Sequence, residues 1–198
     1  MKYPRHGHSA CSVGDKFIVV TGSRKENEQA QVKAECYNVD IDLWFDLPQM
    51  NEGRHYHASC SFLDRFVYVF CGISNSTKKY INTIERLDHQ TKRPWELIEF
   101  SNEQFPARQG LGVAQMTKDE ILIFGGFNGK YMKEAHILNC GQKKIKLAEN
   151  QPGLEMFLFQ MPTVFEQNTG SVITVDWTKM KVIQYNNKAW SVVADIKK

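Results

Sequence analysis

Four times along the chain, a short semi-apolar segment, a polar turn and a continuous apolar run follow one another. The segments are Ser9–Val13, Ala58–Phe62, Gly112–Met116 and, more loosely, Thr163–Phe165. The turns are Gly14-Asp15-Lys16, Leu63-Asp64-Arg65, Thr117-Lys118-Asp119 and Asn168-Thr169-Gly170. Gly, Asn and Asp tolerate the backbone angles of a tight hairpin, so each turn predicts two antiparallel strands. The apolar runs, Ile18–Val20, Val67–Phe70, Ile121–Phe124 and Val172–Val175, are greasy at both parities. A strand of that kind is covered on both faces.

Glycine tends to follow each run: Gly22, Gly72 and the pair Gly125-Gly126. A more alternating third segment comes next (Val32–Tyr37, Ile81–Leu87, Met132–Leu138, Met180–Tyr185). A fourth carries Trp44, Trp95 or Trp190, with Ile145 in the third copy. A large aromatic there can fill the gap between adjacent sheets. No helical period competes, and strands separated by turns at this spacing predict an all-β protein.

The copies are in register. Arg5 precedes Ile18 by 13 positions, and Arg54 precedes Val67 and Arg108 precedes Ile121 by the same 13. The same count back from Val172 lands on Phe159, so the fourth copy lacks the arginine. Units of roughly 50 residues, each too thin to bury its own faces, predict stacked four-stranded blades around an axis, a β-propeller.

The residues then carry a resemblance. Leu47-Pro48-Gln49-Met50 followed by Arg54 and His57, the glycine positions Cys71-Gly72 and Gly125-Gly126, Tyr37 before Trp44, and the stretch GGFNGKYMKEAHILN are similar to the kelch-repeat family. The likeness spans essentially the whole chain. It is strong in three units and weak in the fourth, where Asp176-Trp177 stands in place of the glycines. It implies a kelch-type β-propeller with four four-stranded blades, at about 4–50, 51–100, 101–150 and 151–198. Kelch propellers usually have about six blades. The expectation is therefore a closed ring of four or a partial arc of a larger propeller, completed by further blades from a longer protein or another chain. The apolar lead-in at 154–159 is a candidate capping or closing segment, or a buried variant loop.

Composition narrows the partners. The net charge of +3 comes from scattered Lys and Arg rather than a basic stripe, so nucleic acid is not expected. No apolar stretch reaches spanning length and the start has no signal-like core, so a membrane is not expected either. Five cysteines, odd in number and without a CxxC pair, suit free thiols in a reducing, cytoplasmic setting. Asn75-Ser76-Thr77 is a glycosylation sequon that this setting would leave unused.

Candidate chemistry is sparse. His6 and His8, like His55 and His57, form HxH pairs, but both pairs occupy one repeat position and no cysteine or carboxylate cluster completes a ligand set. No nucleophile elbow, phosphate loop or zinc-protease motif is present. No cofactor and no metal are expected. Phe127-Asn128-Gly129 reads as a hairpin turn rather than a phosphate cradle, because it opens no helix.

The recurring Arg5, Arg54 and Arg108 precede the first strand of their units. Arginine there can recognise carboxylates in bidentate fashion, or it can fix the blade junction locally. The resemblance implies that these loops share one end of the propeller, that this end receives peptide ligands, and that such arginines contact acidic groups. The candidate partner-binding set is Arg5, Arg54, Arg108, Tyr56, Arg24, Asn75, Phe127 and Asn128. The expected function is a non-catalytic protein-interaction module, a scaffold or adaptor, whose partner includes an acidic peptide segment. The family includes ubiquitin-ligase substrate receptors and cytoskeletal or ciliary scaffolds. The alternative is a kelch-propeller enzyme, isomerase-like or lyase-like, working at a central pocket.

Overall fold

The structure, a computed structural model, describes residues 1–24, 32–91, 93–100, 105–148, 163–166, 169–176, 180–186 and 189–196. Phe159, the lead-in at 154–159, Trp177 and Asn168 fall outside them. All regular structure among the described residues is β, in 18 strands. The chain divides into two compact units, Met1–Glu99 with Ala107–Gln109, and Phe100–Pro106 with Gly110–Lys198.

The first unit holds two blades. Strands β1 (Ser9–Val13), β2 (Phe17–Thr21), β3 (Ala34–Asn38) and β4 (Leu43–Leu47) make one sheet in chain order. The link to the next blade carries β5 (Arg54–His55). The second blade is β6 (Ala58–Phe62), β7 (Phe66–Phe70), β9 (Ile84–Asp88) and β10 (Glu96–Leu97), and β5 pairs with β8 (Ile73–Ser74) as a small ribbon. Trp95 lies just before its strand rather than inside it.

The hairpins use the turns the sequence supplies. Gly14 turns with φ of 58°, whereas Leu63 and Asp64 turn with φ of 54° and 48°. Two successive positive φ values define a type I′ turn, whose twist matches antiparallel strands.

Between these two blades lies a shared core. The first contributes Val13, Val19, Ala34, Cys36, Leu47 and Met50, the second Val67, Val69, Leu87 and Trp95. The Trp95 indole N–H donates to Pro48 O at 2.8 Å, fastening the second blade to the end of the first. β1 runs beside β6, and the Ser9 and Ser59 hydroxyls meet at 2.8 Å.

The second unit repeats the plan. One blade is β11 (Gly112–Gln115), β12 (Glu120–Phe124), β13 (Ala135–Asn139) and β14 (Lys144–Leu147). The other is β15 (Thr163–Glu166), β16 (Ser171–Asp176), β17 (Lys181–Asn186) and β18 (Ala189–Asp195). Leu122, Phe124, Ala135 and Ile137 pack against Val172, Ile183 and Tyr185. Trp190 meets Phe124 edge-on at 5.0 Å. The aromatic at or just before the fourth strand thus fills an inter-blade gap at Trp95 and Trp190, while Trp44 is half-buried and packs on Tyr37 at 5.1 Å.

Candidate functional site

Each arginine of the repeat sits where one blade hands the chain to the next. In the first blade the Arg5 guanidinium donates from Nη1 to Gly22 O and Lys33 O, both at 2.9 Å, and from Nε and Nη2 to Glu35 Oε2 at 3.0 and 2.9 Å. In the second, Arg54 donates from Nη1 to Cys71 O at 2.9 Å and Thr83 O at 3.1 Å, and from Nη2 to Glu85 Oε1 at 2.5 Å. These are the same contacts at equivalent positions, because Glu35 stands opposite Val20 and Glu85 opposite Val69 in the strand register.

The carboxylates reach further. Glu35 Oε1 accepts the Lys2 backbone N–H at 2.7 Å, and Glu85 Oε2 accepts that of Asn51 at 2.7 Å. Lys2 and Asn51 each lie three residues before their arginine. Both ion pairs have 0% side-chain exposure. A buried charge is tolerable when paired and hydrogen-bonded; each guanidinium here meets a carboxylate and two backbone carbonyls, although Arg54 Nε has no partner among the described residues.

The arginine backbones fasten the preceding blade. Ser23 N–H donates to Arg54 O at 3.1 Å, and Gly72 N–H to Arg108 O at 2.8 Å. Each donor follows a residue in left-handed conformation, Gly22 at φ 65° and Cys71 at φ 59°. A Cβ on Gly22 would come within 2.4 Å of Arg54 O and 2.6 Å of the His57 ring, which is why glycine stands there.

Arg54 and Arg108 are fully buried, and the Arg5 side chain is enclosed with Glu35. This corrects the expectation that the three arginines face a ligand. A guanidinium surrounded by the carbonyl ends of strands is held inside the blade junction, so the local reading of these residues applies. Asn75 is corrected likewise: it is buried, with Nδ2 donating to Ser23 O at 2.9 Å and Oδ1 accepting from His55 Nδ1 at 2.8 Å. Its amide nitrogen, the glycan acceptor of the sequon, is therefore committed to the fold.

The HxH pairs divide into different tasks. His57 is buried with Nε2 against Thr21 Oγ1 at 2.8 Å, joining the two blades. Burial, and then the nearby Arg54 charge, hold its pKa well below the usual imidazole range. His55 and His8 are also lowered, chiefly by burial.

The remaining candidates stay at the loop surface. In the first unit Arg24 is exposed, its N–H donating to His6 O at 2.9 Å. Tyr56 is half-buried, has φ of 53°, donates its N–H to Gly7 O at 2.8 Å and meets the His55 ring at 4.9 Å. A non-glycine residue in that region is uncommon and is held there by its surroundings. Arg24 and Lys78 both act on His55 as nearby positive charges. In the second unit Phe127 and Asn128 are half-buried on the β12–β13 loop, where Phe127 pairs with Tyr131, ring to ring at 5.0 Å.

Two residues central to this arrangement, Glu35 and Glu85, were not singled out in the sequence. Their signal was available: each follows its arginine by 30 or 31 positions on the third strand. The third blade breaks the pattern. His136 occupies the carboxylate's place opposite Ile123, and Phe105, three residues before Arg108, packs on its ring at 5.3 Å. The fourth blade has Ile183 at that position, opposite Thr174.

Four-stranded antiparallel blades, packed in pairs through a shared core within each unit and carrying buried arginines at a recurring position, define a propeller-type repeat protein. A family model described as the KLHDC2/KLHL20/DRC7 Kelch-repeats domain matches residues 1–153, which cover the first three blades, and the chain belongs to the kelch-repeat family. No curated protein matches it to a comparable standard.

Proposed function

We propose that this chain is a protein-interaction module whose blades serve as a rigid frame for loops that take a partner segment. Kelch-repeat membership supports interaction in general. The observation that carries the finer reading is the positive loop group of the first unit, exposed Arg24 together with Lys78, next to the half-buried Tyr56. Tyr and Arg are favoured contact residues at interfaces, and clustered positive charge favours a partner segment bearing carboxylates. Phe127 and Asn128 are the corresponding candidates on the second unit. The buried arginines act by holding the loops in place rather than by touching the partner. A scaffold or adaptor role follows from a surface that binds without converting what it binds. The enzyme alternative gains no support from the family match. The five free cysteines, of which Cys11 and Cys71 have thiols pushed up to about 12 by burial, accord with a cytoplasmic setting.

The test is an equilibrium titration of labelled acidic peptides, with Asp/Glu-to-Asn/Gln versions as controls, against the intact chain and its Arg24→Glu and Tyr56→Ala variants. Binding should prefer the acidic form, weaken with salt, and fall by about tenfold in Arg24→Glu, equivalent to ~1.4 kcal/mol. Equal affinity for acidic and neutral peptides, or variants that fold normally and bind unchanged, would remove the loop group as the site.

A further inference from the structure

The β12–β13 loop holds the chain's single Asn-Gly step, Asn128-Gly129. Spontaneous ring closure at asparagine needs two groups in reach of each other: the side-chain carbonyl carbon and the backbone nitrogen of the next residue. Three observations bear on it. Asn128 uses its own N–H, donated to Lys130 O at 3.2 Å, while Gly129 N–H donates no backbone hydrogen bond among the described residues. The Asn128 side-chain amide likewise has no hydrogen bond among the described residues. Gly129 has φ of 103°, and nothing lies within 4 Å of where its Cβ would be, so the peptide has room to rotate.

Other asparagines of the chain differ on these points. Asn75 has its side-chain amide tied on both sides, to His55 and to Ser23 O. Asn139 accepts from Gln142 N–H at 2.8 Å through Oδ1 and precedes a cysteine, whose N–H donates to Asp119 O at 2.9 Å. Asn51 is bound to Glu85 and to Trp95 O, and precedes a glutamate.

We propose that Asn128 is a site of spontaneous deamidation. The Gly129 nitrogen attacks Asn128 Cγ, the Cγ–Nδ2 bond breaks, and ammonia leaves with the proton that Gly129 N releases. One water then opens the five-membered imide at either carbonyl, giving aspartate or isoaspartate, with no net oxidation or reduction. The product places a carboxylate on a loop that carries exposed Lys130 and Lys133. The isoaspartate form also adds a methylene to the backbone within the turn. The loop therefore gains one negative charge at a formerly neutral position without any enzyme.

The experiment incubates the folded, full chain at neutral to mildly alkaline pH and physiological temperature. Peptide mapping reads the mass gain of amide-to-acid exchange, and isoaspartate methyltransferase labelling reads the rearranged product. The expected result is conversion at Asn128 ahead of Asn75, Asn139 and Asn51, with both products present and the signal lost in Asn128→Gln. Conversion at Asn128 no faster than at Asn139 would overturn the proposal, as would persistence of the isoaspartate label in Asn128→Gln.

Discussion

Consider Arg54 and Glu85 as the pair on which the second blade's junction depends. The guanidinium and carboxylate meet at 2.5 Å with 0% exposure on both sides. Glu85 also accepts from Asn51 N–H at 2.7 Å and Glu52 N–H at 3.2 Å, so it gathers the incoming chain as well. Removing one partner leaves the other charged and desolvated, which costs about 3–5 kcal/mol. Arg54→Met would strand Glu85 among amide donors alone. Glu85→Gln would leave the guanidinium with Cys71 O, Thr83 O and Thr83 Oγ1. Against a total stability of about 5–15 kcal/mol, either change removes a large share.

The double variant Arg54→Met/Glu85→Leu removes both charges and fills the space with apolar atoms. It should cost less than the sum of the singles by roughly 1–3 kcal/mol, the coupling expected of groups in direct contact. The assay is urea unfolding of the full chain followed by tryptophan fluorescence, with Arg54→Lys as a variant that keeps the charge and loses the fork. Singles that each cost under about 1 kcal/mol, or a double equal to their sum, would show that the pair is not the closely coupled element described above.

Acid should act first through histidine. His57 is held neutral by burial, so below the unfolded pKa of about 6.5 only the unfolded chain takes up its proton. Stability should therefore be full above that pH and decline as pH falls, by up to about 1.4 kcal/mol per pH unit from this group. The urea midpoint of the wild type should drop on acidification more than that of His57→Gln, and parallel profiles would count against the assignment. At the β6–β7 hairpin, Leu63 turns at φ 54° with an exposed side chain. Replacing it with Asn should raise stability by about 1 kcal/mol, since asparagine tolerates the left-handed region better. A fall in thermal midpoint for Leu63→Asn would refute the type I′ reading.

Much of the fold could be read from local patterns, because hairpin turns and apolar runs are contiguous in sequence. The strand pairs β1–β2, β6–β7 and β11–β12 fall on the segments that the turns delimit. The arginine period was equally visible, but not what the arginines do. Burial depends on Glu35 and Glu85, which lie 30 and 31 residues away, and a charge read alone looks like a surface charge. The β5–β8 ribbon escaped notice for a related reason: two-residue strands from separate loops carry no alternation to detect. Asn75 looked like a loop asparagine, and only its contacts with His55 and Ser23 O reveal a buried connector.

The reach of the Arg–Glu pairs bears on how the chain acquires its shape. Each pair closes a segment of only 30 or 31 residues, and the hydrogen bonds from Ser23 to Arg54 and from Gly72 to Arg108 are of similarly short reach along the chain. Nothing in these junctions has to await a distant part of the polypeptide. Short-range closure speeds folding, and nearest-neighbour assembly lets it spread from any starting blade. A nascent chain leaving the ribosome can therefore lock one blade before the next has been translated.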